Sequence, residues 1–358
     1  MDIEELISLA LRGLHQMFIP SRNLFCYSIE PGKGECQGIS LRYSMISLIG
    51  LAKARLADYE VRLPVENTMT AIFERLRQIT HIGDLGLFLW ADALWEANYQ
   101  QHIFDRVKQF SRQHLRRSST MELAWILTGL SLSYATSLRT RGIESKEIRD
   151  YAQIITKLLK ACFNERTGLF RYCCTPHLRR MLPNFASEIY PIYALSTYSS
   201  VFSDNYPLEI AERCAHKLCQ LQGENGEWGW IYNEKHGTLV DMCPVYSVHQ
   251  DSMAPMSLFA LSYATKASFS DSIFKGLKWI SGQNELGMNM VSHQGSIIYR
   301  AIYCQNPLIR YQNLLISLLG KTPSNPLKGG IKRIRHECRP YHLGWILEAW
   351  CGRTKEIQ

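Results

Sequence analysis

"QGENGEWGW" (222–230) sets Gln222, Gly226 and Trp228 at the spacing Q-x-x-x-G-x-W. The stretch follows an amphipathic run, "PLEIAERCAHKLCQL" (207–221), and precedes an apolar one, "YSVHQDSMAPMSLFALSYA" (246–264). Gly226 suits the left-handed turn that ends a helix, and Trp228 suits a plug that seals the next segment onto the core. Taken alone, this is a sound helix-terminating turn. Its meaning depends on what recurs around it.

Both kinds of segment recur along the chain. Amphipathic runs include "VENTMTAIFERLRQI" (65–79), "EIRDYAQIITKLLKACF" (147–163) and "DSIFKGLKWISGQ" (271–283), with apolar positions three and four apart. Between them stand segments apolar around most of their circumference, at 38–54, 83–97, 118–135, 184–200, 246–264, 292–304 and 338–350. Links such as "NERTGLFRY" (164–172) and "GQNELGMNMV" (282–291) repeat the polar–Gly–large pattern of 222–230. Self-similarity of this kind marks a repeat architecture. The alternation predicts an all-α fold: an α/α toroid of two concentric helical rings, with short β-hairpins in the linkers, spanning 1–358 as one domain.

A ring of this kind carrying Gln222, Gly226 and Trp228 at that spacing resembles the α/α-toroid superfold of terpenoid cyclases and protein prenyltransferase β-subunits, which many carbohydrate-active barrels share. The resemblance implies a central cavity and an apolar isoprenoid substrate handled by acid-initiated or carbocation chemistry. The acidic D-x-D-D and D-D-x-x-D runs of such enzymes are missing here. The prenyltransferase zinc set, an Asp-x-Cys pair and a later His, has a loose counterpart in Asp241, Cys243 and His293. No bound metal or cofactor is expected.

Composition narrows the classes. The chain is 46% hydrophobic and 20% charged, which suits a large soluble core. Its net charge of +8 favours an anionic ligand or surface, but the basic residues are spread out, so no nucleic-acid partner is expected. The one basic run, "KGGIKRIRHECR" (328–339), reads as a solvated loop or as a peripheral membrane contact. Eleven cysteines without a C-x-x-C pair read as reduced, mostly buried thiols, and "MDIEELISLALRGL" is the opposite of a signal peptide. With no apolar run of membrane-spanning length, a cytoplasmic protein is expected.

The N-terminal ends of the inner helices should converge on the cavity, where free N–H groups and the helix dipole favour polar ligands. Candidates there are Arg42, Tyr43, Asp84, Glu122, Glu188, Tyr190, Tyr246, His249, Gln250, Asp251, His293, Tyr341 and His342, with Trp90 deeper inside. Several have plainer readings: Glu122 follows Ser119 as a capping box, and Asp84 after Gly83 suits an N-cap. "YSVHQD" (246–251) crowds more hydrogen-bonding groups than a cap needs. The expected catalytic groups are therefore Asp251 as principal acid, with His249, Glu188 and Asp84. Tyr246, Gln250, Trp90, Arg42, Tyr43, Glu122 and Tyr190 are expected to bind a small-molecule substrate.

Two further functions follow from the same residues. A carbohydrate-active α/α barrel (hydrolase, lyase or epimerase) would pair Asp251 with Glu188, Glu122 or Asp84 and use the aromatics as sugar platforms. A non-catalytic binding toroid needs neither chemistry.

Overall fold

Helices buried on every side alternate with helices buried on one, and the two kinds form two rings. The computed structural model describes residues 2–30, 35–140, 145–175, 182–305, 307–321 and 331–353. In chain order the helices are α1 (Ile3–Gln16), α2 (Leu41–Leu56), α3 (Val65–Phe73), α4 (Ile82–Trp95), α5 (Gln100–Lys108), α6 (Arg112–Arg117) and α7 (Thr120–Thr140). They continue with α8 (Ser145–Cys162), α9 (Phe185–Phe202), α10 (Tyr206–Gln220), α11 (Ala254–Thr265), α12 (Ser270–Ile280), α13 (Pro307–Leu318) and α14 (Pro340–Trp350). The inner ring is α2, α4, α7, α9, α11 and α14, each packed on the next, and α14 closes it onto α2. At that closure the backbones touch: a Cβ on Gly50 would lie 2.1 Å from the Gly344 carbonyl oxygen. Among the described residues, no helix is long and apolar enough to cross a membrane.

Hairpins join several outer helices to inner ones. They are β1–β2 (Phe18–Ile19, Leu24–Phe25), β3–β4 (Ser28–Ile29, Cys36–Gln37), β5–β6 (Phe163–Asn164, Leu169–Phe170) and β7–β8 (Ile231–Asn233, Thr238–Asp241). Strand β9 (Val245–Tyr246) leads into α11, and β10–β11 (Val291–Ser292, Ile297–Ile298) follows α12. The linker turns use the glycines as expected. Gly226 has φ +93°, and a Cβ there would meet the Lys275 carbonyl oxygen at 2.2 Å.

One segment departs from the expected ring. The apolar run 292–304 is not an inner helix but strand, ending in β12 (Ala301–Gln305), which pairs with both β9 and β13 (Ile331–Arg335). Its Ile and Tyr content favours a pleated surface once partners lie on both sides. The register Val245↔Ile302 carries Cys243 beside Cys304, and the two form a disulfide. Those two cysteines are therefore not the reduced thiols expected from the sequence.

Candidate active site

Inner-helix N-termini and the β9–β12–β13 sheet enclose a cavity of about 200 Å³. Its walls are aromatic and basic. Tyr43, Trp125, Tyr190, Trp230, Tyr246, His249 and Tyr341 line it, with Arg42, Arg300 and Asn184 supplying the long polar groups. No carboxylate stands among the described lining residues.

The π-helical turn His249–Met253, which opens α11, sets the deepest polar groups. Such one-turn widenings recur at functional sites. Here the turn sends consecutive side chains in different directions. His249 lines the cavity between Phe185, Trp230 and Tyr246, with ring centroids 4.4, 5.9 and 5.1 Å away. Its Nδ1 is buried without a hydrogen-bond partner. Burial, helped by the nearby His342, pushes its pKa down to about 3, so the imidazole is neutral.

Asp251 does not face the cavity. It is fully buried behind it, with both carboxylate oxygens 2.8 Å from His342 Nε2 and one accepting from the Ser252 hydroxyl at 2.9 Å. Pro255 lacks the N–H that would continue the helical ladder to the Asp251 carbonyl, and Trp350 Nε1 donates to that oxygen instead, at 2.5 Å. Gln250 also turns away. It accepts from the Trp228 N–H at 3.2 Å and donates to the Tyr246 carbonyl at 3.1 Å. Gln222 in turn donates to the carbonyls of Gly226 (2.8 Å) and Ser272 (2.9 Å). The Q-x-x-x-G-x-W stretch thus clamps an outer-helix loop to the inner turn, with Trp228 completely buried beside Phe185.

The other expected carboxylates are likewise structural in their contacts. Glu188 is wholly buried on the outward side of α9 and accepts from the Phe170 N–H at 2.8 Å. Burial holds its pKa well above the usual value. Glu122 closes the capping box, accepting from both the N–H (3.0 Å) and the hydroxyl (2.9 Å) of Ser119. Asp84 binds Arg42 through two contacts, at 2.5 and 3.1 Å, and so aims the guanidinium, which lies 5.5 Å from the Trp125 ring. Trp90 lies below the cavity, stacked on Tyr193 at 5.0 Å and tilted against Trp345 at 5.4 Å. The loose zinc set is not assembled. Cys243 is disulfide-bonded, Asp241 pairs with Arg310 at 3.0 Å, and His293 is exposed beside Glu5 at 3.2 Å.

Of the expected residues, the fold brings together Arg42, Tyr43, Tyr190, Tyr246 and His249. The most important group without an early signal is Arg300. It stands immediately before β12 with its guanidinium 5.4 Å from the Tyr246 ring, and its Nε is buried without a partner. Arg300 Nη1 donates to Glu337 at 3.1 Å, and the same carboxylate also takes Arg335, at 2.5 Å, and Arg339. Burial alone would raise Glu337, but the hydrogen bond from Arg339 and the charges of all three arginines reverse this, so it is ionised. Three guanidiniums share one carboxylate, leaving a surplus of positive charge at the mouth. Arg339 also donates to the Tyr43 hydroxyl at 2.7 Å and covers Tyr27 at 4.4 Å. Arg339 of the basic run is thus committed inward and Arg335 reaches the same carboxylate from an exposed position, while residues 328–330 lie outside the described part.

Tyr246 and Tyr43 are both held protonated: burial raises them, and Arg300 and Arg339 only partly oppose it. The site therefore offers a neutral imidazole, protonated phenols and uncompensated guanidiniums around an aromatic hollow.

The sequence matches no protein-family model and no curated protein. The fold does have solved counterparts. Cellobiose 2-epimerase from Bacillus thermoamylovorans is similar at a TM-score of 0.67 with 9% identity, covering 98% of this chain and 99% of that one. The unsaturated glucuronyl hydrolase of Bacillus sp. GL1, responsible for degradation of glycosaminoglycan, is similar at 0.63 with 12% identity, covering 97% and 96%. An unsaturated glucuronyl hydrolase specific for heparin gives 0.61 at 12% identity, covering 99% and 97%. These proteins share the fold, and each is named as an enzyme of carbohydrates. The terpenoid-cyclase resemblance implied by Gln222, Gly226 and Trp228 finds no support among them, whereas the α/α toroid itself is shown.

Proposed function

We propose that the chain is a carbohydrate-active α/α-barrel enzyme, working as one ring-shaped domain on an acidic saccharide by proton transfer next to the carboxylate. The observation that carries this reading is the surplus of guanidinium, Arg300 above all, beside an aromatic hollow that holds a neutral histidine. The hollow, at about 200 Å³, is smaller than the roughly 300–1,000 Å³ of drug-sized sites, so it suits a sugar ring better than a long isoprenoid. Its tyrosine and tryptophan walls suit the apolar faces of such a ring.

Arg42 and Arg300 would hold the carboxylate, since guanidinium binds it with two parallel hydrogen bonds. His249, neutral before substrate binds, then accepts the proton from the adjacent carbon as the bound anion's charge raises its proton affinity. The C–H electron pair moves onto the carboxylate, whose growing charge the arginines stabilise. From that intermediate, either a proton returns to the opposite face or the substituent one carbon further leaves with the electron pair. The proton returning to the opposite face comes from water, whereas Tyr246, protonated by burial and packed beside His249, is the donor to the leaving substituent. The outcomes are epimerisation and elimination respectively. Two-carboxylate hydrolysis fits less well, because Asp251 and Glu188 are buried away from the cavity.

The test is turnover of a panel of uronate-containing and neutral oligosaccharides, followed by proton NMR. Conversion confined to uronates, with an epimer or an unsaturated sugar as product, is expected. Turnover of neutral sugars with equal efficiency would overturn the assignment.

A further inference from the structure

We infer that a second compartment beside the cavity is a subsite for the neighbouring sugar, a neutral one, of the same substrate; this rests on the saccharide reading above. The two compartments share their partition, for Asn184 and Trp230 line both. The second measures about 220 Å³, close to the first at about 200 Å³, so each takes about one ring.

Its chemistry differs from that of the first. Asp241 is buried and Arg310 more than half exposed, and they pair at 3.0 Å across the wall. The charges balance, so nothing there calls for an anion. A carboxylate beside a guanidinium instead matches adjacent sugar hydroxyls, which donate to the one and accept from the other. Val240, Leu314 and the partly exposed Trp230 supply apolar surface for the ring.

The compartment is also an addition to the repeat. Arg310 and Leu314 belong to α13, which is inserted between β12 and β13 and packs over β8. Asp241 ends β8, and its second oxygen accepts the Cys243 N–H at 3.1 Å, which holds the carboxylate in place. The Asp-x-Cys pair that is not a metal site thereby acquires a role.

Calorimetric titration with a free uronate and with a uronate–hexose disaccharide tests this on the full chain. Wild-type protein should bind the disaccharide about tenfold or more tightly than the uronate, as one extra well-made contact set provides. Arg310→Ala and the space-filling Leu314→Trp should bring the disaccharide down to the uronate's affinity while leaving the uronate's unchanged, which also shows that the variants are folded. Equal wild-type affinities, or a ratio that survives both substitutions, would overturn the second subsite and leave the saccharide reading standing. If neither sugar binds wild-type protein, that reading fails and the subsite with it.

Discussion

The upper and lower halves of the ring interior are built from the same helices and much the same residue types, yet one is hollow and the other solid. Below, Trp90 stacks against Tyr193 and Trp345, and the Tyr193 hydroxyl donates to Glu348 at 2.7 Å. Above, His249 Nδ1 and Arg300 Nε are buried with nothing to bond, and three arginines crowd one carboxylate. Aromatic content therefore does not distinguish a site from a plug. Unpaired atoms alone do not either, since Trp345 Nε1 and Glu348 Oε2 of the plug also lack partners. The unbalanced charge of three arginines on one carboxylate does, because burying charge is costly unless a ligand completes it.

That contrast can be broken by mutation. Trp90→Ala should remove about 3–5 kcal/mol of stability, measured by chemical denaturation, and leave the kcat/KM of the remaining folded enzyme within a few-fold of wild type. A large loss of kcat/KM at unchanged stability would make the plug part of the site. Asp251→Ala should behave in the same way, costing about 3–5 kcal/mol because His342 loses its buried partner. A variant that melts like wild type but is inactive would restore Asp251 as a catalytic group.

A smaller effect sharpens the outward side of the ring. Glu188 has its folded-state pKa raised by burial, so the unfolded chain ionises it first as pH rises. Stability is then fully present below the unfolded value near 4.5 and is lost as pH climbs toward the folded value. Glu188→Gln cannot ionise, and should gain on the order of 1 kcal/mol over wild type at neutral pH and nothing near pH 4. A gain independent of pH would mean that the carboxyl is not the strained group.

The ring was legible in the sequence because burial on one side or on all sides leaves a periodic trace. Six of seven apolar segments are inner helices. The seventh, 292–304, misled because a short apolar run has no period that separates strand from buried helix, and only pairing with β9 and β13 decides it. That error hid Arg300, which immediately precedes β12. At the site, His249 and Tyr246 were legible as polar groups in excess of capping needs. Asp251, two residues after His249, was misplaced because a π-helical turn shifts the direction of every side chain it contains. Glu188 was misplaced for a different reason: a helix buried all round gives no hint of which face meets the cavity.

The central claim is that His249 takes a proton from the carbon beside a sugar carboxylate. A uronate-containing disaccharide deuterated at that carbon tests it directly, whether the reaction ends in an epimer or an unsaturated sugar. Wild-type protein should release the label to water at the rate of turnover, and His249→Gln should slow that release by about 10²–10⁴-fold. Product that keeps its label at that carbon would contradict the account.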